Sequence, residues 1–443
     1  MLKLFRSILH NLDKLLFVFS LVVLCVGYGM SAVTFELFPY PLSRQAVQAL
    51  RTLYHNQDQY IQNKPAVLTE TKFAQGGVLR YQPDKTQPGA TLLTSFYGDT
   101  PGIQLVDLNG TVLHSWAISF QDLWPDPPHL EEVPDDLRIH IHGAVLEPNG
   151  DVVFNIEYKG LLKVDLEGRL IWRVPYLTHH SVHKDWKGNY WVCGQKYRTS
   201  FDPDIPMIER PFLEEFILQV SPDGQILQEI SVYKLIYSNA FEGVLLGHGP
   251  SDVMLHGKDL MHLNDIEPLS PEMAAAFPLF KAGHVMVSLR NLNMVCVIDP
   301  KEQSIVWHQV GPFLRQHDPD FLANGRISIF DNRDDQANGT ILGGSRIVHL
   351  DPQTGQVETV FAGRDTEPFF TGILGKHQYL DNGNLLITEG EKGRVFEVTA
   401  KGDIVWEYVN TYDSDHTAWV EQGHRYSYEY LQFLQQGAEQ DAL

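Results

Sequence analysis

Hydrophobic and polar positions alternate in short runs along most of the chain, and turn residues separate the runs. Six segments share one form: an alternating run, a turn rich in Asp, Asn, Lys or Gly, and a second alternating run. That form predicts a β-hairpin. An all-β pair of sandwiches is the alternative, but it gives no reason for one hairpin to recur, so the recurrence favours a repeat architecture. The six copies begin at Val106, Val164, Val220, Ile298, Leu350 and Val398.

A second segment precedes most of these hairpins and reads as a strand, a Gly turn and another strand. With the hairpin it gives four strands per unit, which is one blade of a propeller. The innermost strand of the first unit is expected near Gly77, in GGVLRYQ. The copies begin at His142, His179, His262, His317 and, in a shortened form, His377.

These repeats predict an all-β fold, a six-bladed β-propeller over residues 66–411. Residues 412–443 are expected to be a C-terminal closing segment. Two long insertions, at residues 119–139 and 231–260, are expected to be loops on one face, where function is often carried.

The N-terminus carries an apolar run from Leu15 to Phe35, long enough for a transmembrane helix. Because Lys3, Arg6 and Lys14 precede it, residues 1–14 are expected in the cytoplasm. The sequence thus predicts a single-pass inner-membrane anchor over residues 15–35, a partly helical linker over residues 36–65, and a propeller facing the periplasm. A cleaved signal peptide stays open as the alternative, although the length of the run favours an uncleaved anchor.

Charge and cysteine content narrow the functional classes. The formal net charge of −21 argues against a nucleic-acid partner. The three cysteines are too few for a disulfide framework, although one bridge between Cys193 and Cys296 stays open. Whether the chain forms a homodimer is also left open.

Histidines recur at one position, near the start of each blade's first strand. Because innermost strands surround the central channel of a propeller, these side chains are expected to converge there, near Arg290. His180 is preferred over its neighbours His179 and His183 because it precedes a turn glycine by the same spacing as two other members of the set. The recurring histidines are His142, His180, His262, His317 and His377.

Imidazole can act as a nucleophile, general base or metal ligand, and the Arg guanidinium binds oxyanions through two parallel N–H donors. Histidines and Arg290 without a carboxylate cluster indicate transfer of an anionic group rather than glycoside hydrolysis. Three histidines can hold zinc, but Arg290 would repel a cation and no closely spaced histidine pair of the HExxH kind is present. We therefore expect no metal and no cofactor.

Three motifs carry a resemblance to a known family. The segment RQHDPDFLANGRISIFDN, from Arg315 to Asn332, resembles the QH…NG…FDN motif of the bacterial arylsulfate sulfotransferases. HLNDIEPLS from His262, followed by VMVSLR, resembles that family's HxNxI…SSR motif, and HHSVHKDWKGN resembles its HH-containing blade. The resemblance covers residues 70–410. Asp318 departs from the family, where a neutral residue is usual, and can alter the pKa of His317.

The resemblance implies a six-bladed propeller that moves a sulfuryl group, without PAPS, from a phenolic sulfate ester to a phenolic acceptor. His317 matches the nucleophile that becomes a sulfohistidine. His180, His262 and Arg290 match the residues that hold the sulfate and phenolic oxygens. The remaining candidates, assigned to substrate binding, are Asn264, His142, His377 and Asn332.

A non-catalytic propeller that binds a protein or glycan partner at the cell envelope is the alternative function. The two hypotheses differ in geometry. An enzyme requires His180, His262, Arg290 and His317 to meet in one pocket, whereas a binding module does not.

Overall fold

The computed structural model describes residues 12–35, 37–40, 42–43, 46–47, 63–205, 208, 210–246, 259–334 and 342–434. The chain divides into two compact units, residues 1–64 and residues 65–443. Most of the expected cytoplasmic segment 1–14 and of the expected linker 36–65 lies outside the described residues.

The first unit contains helix α1, Leu12–Thr34. From Leu16 onward its side chains are mostly apolar and nearly all exposed, as expected for a helix surrounded by lipid. In the described part of the chain it is the one helix long and apolar enough to cross a membrane, and a signal sequence has the same properties. The predicted apolar helix is confirmed.

The second unit is a six-bladed β-propeller, as predicted. Strands β1 (Leu68–Glu70) and β2 (Gly77–Tyr81) come first in the chain. Blade 1 contains β3 (Ala90–Tyr97), β4 (Thr100–Val106) and β5 (Val112–Ala117). Blade 2 contains β6 (Ile141–Leu146), β7 (Val152–Ile156), β8 (Gly160–Val164) and β9 (Leu170–Val174). Blade 3 contains β10 (Leu177–Lys184), β11 (Tyr190–Arg198), β12 (Phe212–Val220) and β13 (Ile226–Ser231).

The last three blades follow the same antiparallel order. Blade 4 contains β14 (Leu263–Pro268), β15 (Val285–Leu289), β16 (Met294–Asp299) and β17 (Ser304–Val310). Blade 5 contains β18 (His317–Phe321), β19 (Ile327–Asp331), β20 (Arg346–Leu350) and β21 (Val357–Ala362). Blade 6 contains β22 (Lys376–Tyr379), β23 (Leu385–Glu389), β24 (Arg394–Val398) and β25 (Ile404–Val409). Strands β26 (His416–Ala418) and β27 (Gln422–Tyr426) end the set.

The ring closes with a strand from the C-terminal part of the chain. Strand β27 pairs with β3 and forms the innermost strand of blade 1, whereas β2 pairs with β25 as a fifth, outer strand of blade 6. The expectation that the Gly77 segment forms the inner strand of blade 1 was therefore wrong. Alternation within β2 predicts a strand but carries no information about which sheet edge it joins.

Apolar side chains fill the spaces between neighbouring blades, in six clusters that lie between successive pairs around the ring. A polar contact recurs at each of these boundaries: a side chain of each blade's fourth strand, or just after it, donates to a backbone oxygen in the next blade's hairpin turn. These pairs are His114 with Leu166, Trp172 with Pro222, Gln228 with Pro300, Trp307 with Pro352, Arg364 with Lys401, and Trp406 with Leu108.

Short helices occupy the long insertions and the strand junctions. The helices are α2 (Phe120–Leu123), α3 (Val232–Ser238), α4 (Glu242–Leu246) and α5 (Pro271–Ala274). Single turns of 3-10 helix lie at Asp136–Arg138, Arg290–Leu292 and Gly390–Lys392. Helix α3 packs Val232, Tyr233, Leu235 and Ile236 into the core between blades 3 and 4. That insertion, expected to be a loop, is thus a packed element over its described part, and residues 247–258 lie outside the description.

Candidate functional site

The inner strands that carry the recurring histidines share an irregular backbone. His180 and His262 have left-handed φ angles of 57° and 53°. Register shifts lie beside them, between His179 and Val182 and between Leu263 and Asp265, and another follows His317. Such bulges turn a side chain away from its regular direction, and a left-handed non-glycine residue costs about 1–3 kcal/mol. Conformations of this cost are found mainly where a side chain must be aimed.

A close approach of blades 2 and 3 fixes the backbone at His180. A Cβ atom at Gly143 would lie 2.5 Å from the His180 carbonyl oxygen, so only glycine fits there. The Asn155 side-chain amide donates to the same oxygen. The His180 main chain is thus held from the neighbouring blade, and its ring direction follows.

Three histidine rings surround the ring of His180. The His180 ring centroid lies 4.2 Å from that of His142, 4.9 Å from that of His262 and 6.2 Å from that of His317. The Nε2 atoms of His180 and His262 are 3.2 Å apart. The structure brings together these four of the five histidines singled out in the sequence.

His317 is held in one tautomer by Asn332. The Asn332 Nδ2 atom donates to the carbonyl oxygens of Thr371 and Leu374, at 3.0 and 2.7 Å, so its Oδ1 must accept. That oxygen lies 2.7 Å from His317 Nδ1, which therefore carries the hydrogen. The Nε2 lone pair is left without a hydrogen-bond partner among the described residues. Burial and the charge of Arg290 lower the pKa of His317, so the imidazole is neutral at neutral pH.

Arg290 supplies a buried cation beside His317. It follows β15 in a single helical turn, and burial together with the nearby Arg315 charge lowers its pKa to about 10. The guanidinium stays charged at neutral pH. Its Nη1 atom lies 3.3 Å from Asn291 Oδ1, and its buried Nε has no hydrogen-bond partner in the part of the chain that is described.

His180 and His262 contact a network made of one further histidine, His179, and two carboxyl groups. The Asp259 carboxylate bonds to His262 Nδ1, and the Nδ1 atoms of His179 and His180 are 2.8 Å apart. His179 Nε2 lies 3.2 Å from a Glu215 oxygen. Burial and the adjacent Asp259 charge raise the pKa of Glu215, so this carboxyl is protonated. Asp259 thereby fixes the His262 tautomer and leaves His262 Nε2 directed at His180.

Two further carboxylates, Glu157 and Glu421, lie near His142 at the edge of the cluster. Glu157 and Glu421 lie 2.8 and 2.6 Å from the two ring nitrogens of His140. Burial opposes a charge on His140, but the two carboxylates outweigh it and raise the pKa of His140. His142 Nδ1 is 3.4 Å from Glu157 and 3.7 Å from Glu421.

Two of the predicted binding residues have other contacts. Asn264 donates to the carbonyl oxygen of Gln316, next to His317 in the chain. His377 is not brought to the four-histidine cluster: its Nδ1 lies 3.1 Å from Asp318 and its Nε2 2.6 Å from Ser328 Oγ. Asp318, expected to affect His317, bonds instead to His377 and Lys376.

His377 lines a cavity of about 730 Å³ formed by the later residues of the inner strands. Lys376 lies beside it, within ion-pair distance of Asp318 and Asp265. None of the four clustered histidines lines this cavity. The site at the start of the inner strands and this cavity are therefore distinct.

The carboxylates were missed by reasoning from the sequence, which expected only histidines, one arginine and two asparagines at the site. Glu157, Asp259, Glu215 and Glu421 come from blades 2, 4, 3 and the closing segment, and their spacing in the chain matches no motif. Two local features of the sequence could have drawn attention to them. Asp259 stands three residues before His262, and Glu421 stands one residue before a strand.

The fold and this site define a class: a β-propeller whose inner strands present a neutral imidazole beside a buried cation. Such an arrangement suits transfer of an anionic group. The chain belongs to the arylsulfotransferase (ASST) family, whose sequence pattern it matches over residues 144–411. The family predicted from the motifs is confirmed.

Comparison with solved structures gives proteins of low identity. A protein of unknown function from Bacteroides caccae is 14% identical, with 72% of this chain and 93% of that chain covered and a TM-score of 0.47. A streptogramin B lyase is 12% identical, with coverages of 78% and 88% and a TM-score of 0.41. The WD40 propeller domain of Doa1 is 10% identical, with coverages of 76% and 95% and a TM-score of 0.40. No curated protein matches the chain.

Proposed function

We propose that this protein is a PAPS-independent arylsulfate sulfotransferase that carries the sulfuryl group on Nε2 of His317. The observation that carries the proposal is the contact between His317 Nδ1 and an Asn332 oxygen that can only accept. It leaves a neutral nitrogen lone pair as the nucleophile. Membership of the arylsulfotransferase family supplies the substrate class.

In the first half-reaction the His317 Nε2 lone pair attacks sulfur of a phenolic sulfate ester. The N–S bond forms as the bond between sulfur and the phenolic oxygen breaks, and the phenolate leaves with the electron pair. Protonated His262 gives the phenolate its proton and becomes neutral. Arg290 binds the sulfuryl oxygens, whose negative charge its buried guanidinium stabilises more strongly than water would.

The second half-reaction reverses these steps with the acceptor. A phenol gives its proton to neutral His262, and its oxygen attacks sulfur while the N–S bond breaks. His317 returns to the neutral form, and the aryl sulfate product leaves. Asp259 keeps His262 in one tautomer in both halves, so the same Nε2 atom donates and accepts.

The location is also a proposal. Basic residues Lys3, Arg6 and Lys14 precede helix α1, which favours an N-terminus in the cytoplasm. We infer an uncleaved anchor in the inner membrane with the propeller in the periplasm. Cell fractionation and protease treatment of spheroplasts test this. The intact chain should be found in the membrane fraction, and protease added outside the spheroplasts should digest the propeller.

The activity is tested with the full chain in detergent, p-nitrophenyl sulfate as donor and phenol as acceptor. Release of nitrophenol should require His317, and a His317→Ala variant should lose at least about 1,000-fold in kcat because no second nucleophile replaces it. A His424→Ala variant serves as the matched control, since His424 lines the separate cavity. It should retain wild-type turnover.

Two outcomes would contradict the proposal. One is wild-type protein that releases no nitrophenol with phenol present, and the other is equal release by the His317→Ala variant. Either result would favour the alternative, a propeller that binds a partner at the cell envelope without catalysis.

A further inference from the structure

The group of His140, His142, Glu157 and Glu421 has an unusual set of contacts. Glu421 comes from the segment just before closing strand β27, and the other three belong to blade 2. The side chains of His142 and Glu421 are only 5% and 2% exposed. The group therefore lies where the closing segment contacts blade 2.

Two atoms of this group are buried and have no hydrogen-bond partner. His142 Nδ1 and Glu421 Oε2 lack a partner in the described chain and lie 3.7 Å apart, whereas His140 Nδ1 contacts the other Glu421 oxygen at 2.6 Å. One donor atom from each of His140, His142 and Glu421 lies within 4.8 Å of the other two. An unsatisfied buried polar atom costs about 1–3 kcal/mol, so two at one point require an explanation.

The geometry points to a divalent transition-metal site in which His140 Nδ1, His142 Nδ1 and the Glu421 carboxylate are the ligands. Two imidazoles and one carboxylate are a donor set used for zinc, with a fourth position left for water. We propose that this ion ties the closing segment to blade 2. The proposal does not depend on sulfuryl transfer.

One distance between donor atoms is near that of a tetrahedral ion, and one is shorter. Metal–ligand bonds of about 2.0–2.1 Å place ligand atoms about 3.3 Å apart. His142 Nδ1 and Glu421 Oε2 are 3.7 Å apart. His140 Nδ1 and Glu421 Oε1 are 2.6 Å apart, so binding of the ion requires these two atoms to move apart.

Glu157 completes the arrangement as an orienting group. It lies 2.8 Å from His140 Nε2, the nitrogen opposite the proposed ligand atom. A metal-bound histidine commonly gives its other N–H to a carboxylate, which fixes the ring and strengthens the ligand. One divalent ion also neutralises the two buried carboxylates, Glu157 and Glu421.

The site is reachable from solvent through His140. That side chain is 25% exposed, whereas those of His142 and Glu421 are almost fully buried. An ion can therefore enter beside His140. Because the ligands come from β6, its preceding residues and the closing segment, spacing along the chain could not show the site, and the sequence predicted no metal.

The test measures metal binding rather than transfer activity. The full chain, without a polyhistidine tag and in detergent, is stripped with a chelator and titrated with zinc chloride by calorimetry. Metal content after dialysis is measured by mass spectrometry. We expect about one zinc ion per chain, and binding weakened at least tenfold or lost in the Glu421→Gln variant.

A Glu389→Gln variant is the control, because Glu389 is an equally buried carboxylate that pairs with Arg394 in blade 6. It should bind zinc as the wild type does. Zinc should also raise the melting temperature of the wild type and of this control, but not that of Glu421→Gln. Cobalt(II) in place of zinc should give visible absorption bands that change in Glu421→Gln.

Wild-type protein that binds no zinc would overturn the proposal, whatever the variants do. Zinc binding of equal affinity in Glu421→Gln would also overturn it, since the ion would then lie elsewhere. If Glu421→Gln does not fold, the His140→Gln variant takes its place, with the same expected loss of affinity.

Discussion

Asn332 determines which nitrogen of His317 carries the hydrogen, because two backbone carbonyls fix the orientation of its amide. In the Asn332→Ala variant, His317 can populate either tautomer, so kcat should fall at least about tenfold. Loss of the amide also removes the side-chain donor to the buried Leu374 carbonyl and should lower the free energy of unfolding by about 1–3 kcal/mol. Steady-state kinetics and urea unfolding measure the two effects.

The matched control is Asn384→Ala. Asn384 is a buried amide in blade 6 that bonds to Lys85 and Glu397, remote from the histidine cluster. It should lose stability while keeping kcat. An Asn332→Ala variant with wild-type kcat would show that Asn332 does not position the nucleophile.

In the proposed reaction, Arg290 should affect the pH dependence through His317. Its positive charge disfavours the imidazolium and helps to lower the pKa of His317. Only the neutral imidazole is nucleophilic, so on the acidic side kcat/KM should rise with pH through that lowered pKa. Replacing Arg290 with Met should raise the pKa of His317 and move the acidic limb of the profile to higher pH.

The Arg290→Met variant should also lose about 10²–10³-fold in kcat, since one donor to the sulfuryl oxygens is removed. Arg290→Lys keeps the charge and should leave the acidic limb near its wild-type position. A profile that does not move in Arg290→Met would contradict the assignment of His317 as the titrating nucleophile.

At this scale the sequence predicted the recurring histidines but not their partners. A motif and a blade position sufficed to predict that His180, His262 and His317 lie close together. Asp259 and Glu421 could not be found, because contacts between blades depend on how the ring closes. His377 also occupies the repeated position, yet its ring bonds to Asp318 and Ser328 and does not join the cluster.

Among the structural elements, the outer strands carry a repeated contact that joins blades. Trp406 is fully buried, and its indole N–H donates to the Leu108 carbonyl across the boundary between blades 6 and 1. The Trp406→Phe variant should be destabilised by about 1–3 kcal/mol, because that carbonyl loses its donor and a cavity remains. Urea unfolding monitored by circular dichroism measures the change.

Trp186→Phe is the control for the tryptophan replacement. The Trp186 side chain is 43% exposed. Its replacement should change the free energy of unfolding by no more than about 0.5 kcal/mol. Equal effects of the two substitutions would show that the contact between blades contributes little.

Alternation and turn residues predicted the hairpins and the blade number, because these are properties of adjacent strands. The edge position of β2 and the inner position of β27 were not fixed by pattern. Both strands pair with segments more than 300 residues away in the chain. Local sequence therefore identifies strands, whereas the closure of the ring assigns them to a sheet.

For the whole molecule, buried neutral histidines set the stability in acid. Burial lowers the pKa of His179 and of His424 to about 4. The unfolded chain binds their protons near pH 6.5, so stability is fully present above that pH and is lost as the pH falls toward 4. Each such histidine contributes about 1.4 kcal/mol per pH unit within this window.

A His424→Asn variant removes one of these titrations. Its free energy of unfolding, measured with urea between pH 6.5 and 5, should fall less steeply than that of the wild type, by about 1.4 kcal/mol per pH unit. His424 is chosen because it lies outside the proposed transfer site. Parallel slopes for variant and wild type would contradict the assignment of a neutral, buried His424.

The central claim is a sulfuryl group carried by His317, and trapping that group tests it most directly. The full chain is incubated with p-nitrophenyl sulfate without acceptor, digested at alkaline pH and analysed by mass spectrometry. The account predicts one equivalent of nitrophenol per chain and a single added SO₃ group on His317. Nitrophenol release without modification of His317, or modification of another histidine such as His180, would contradict it.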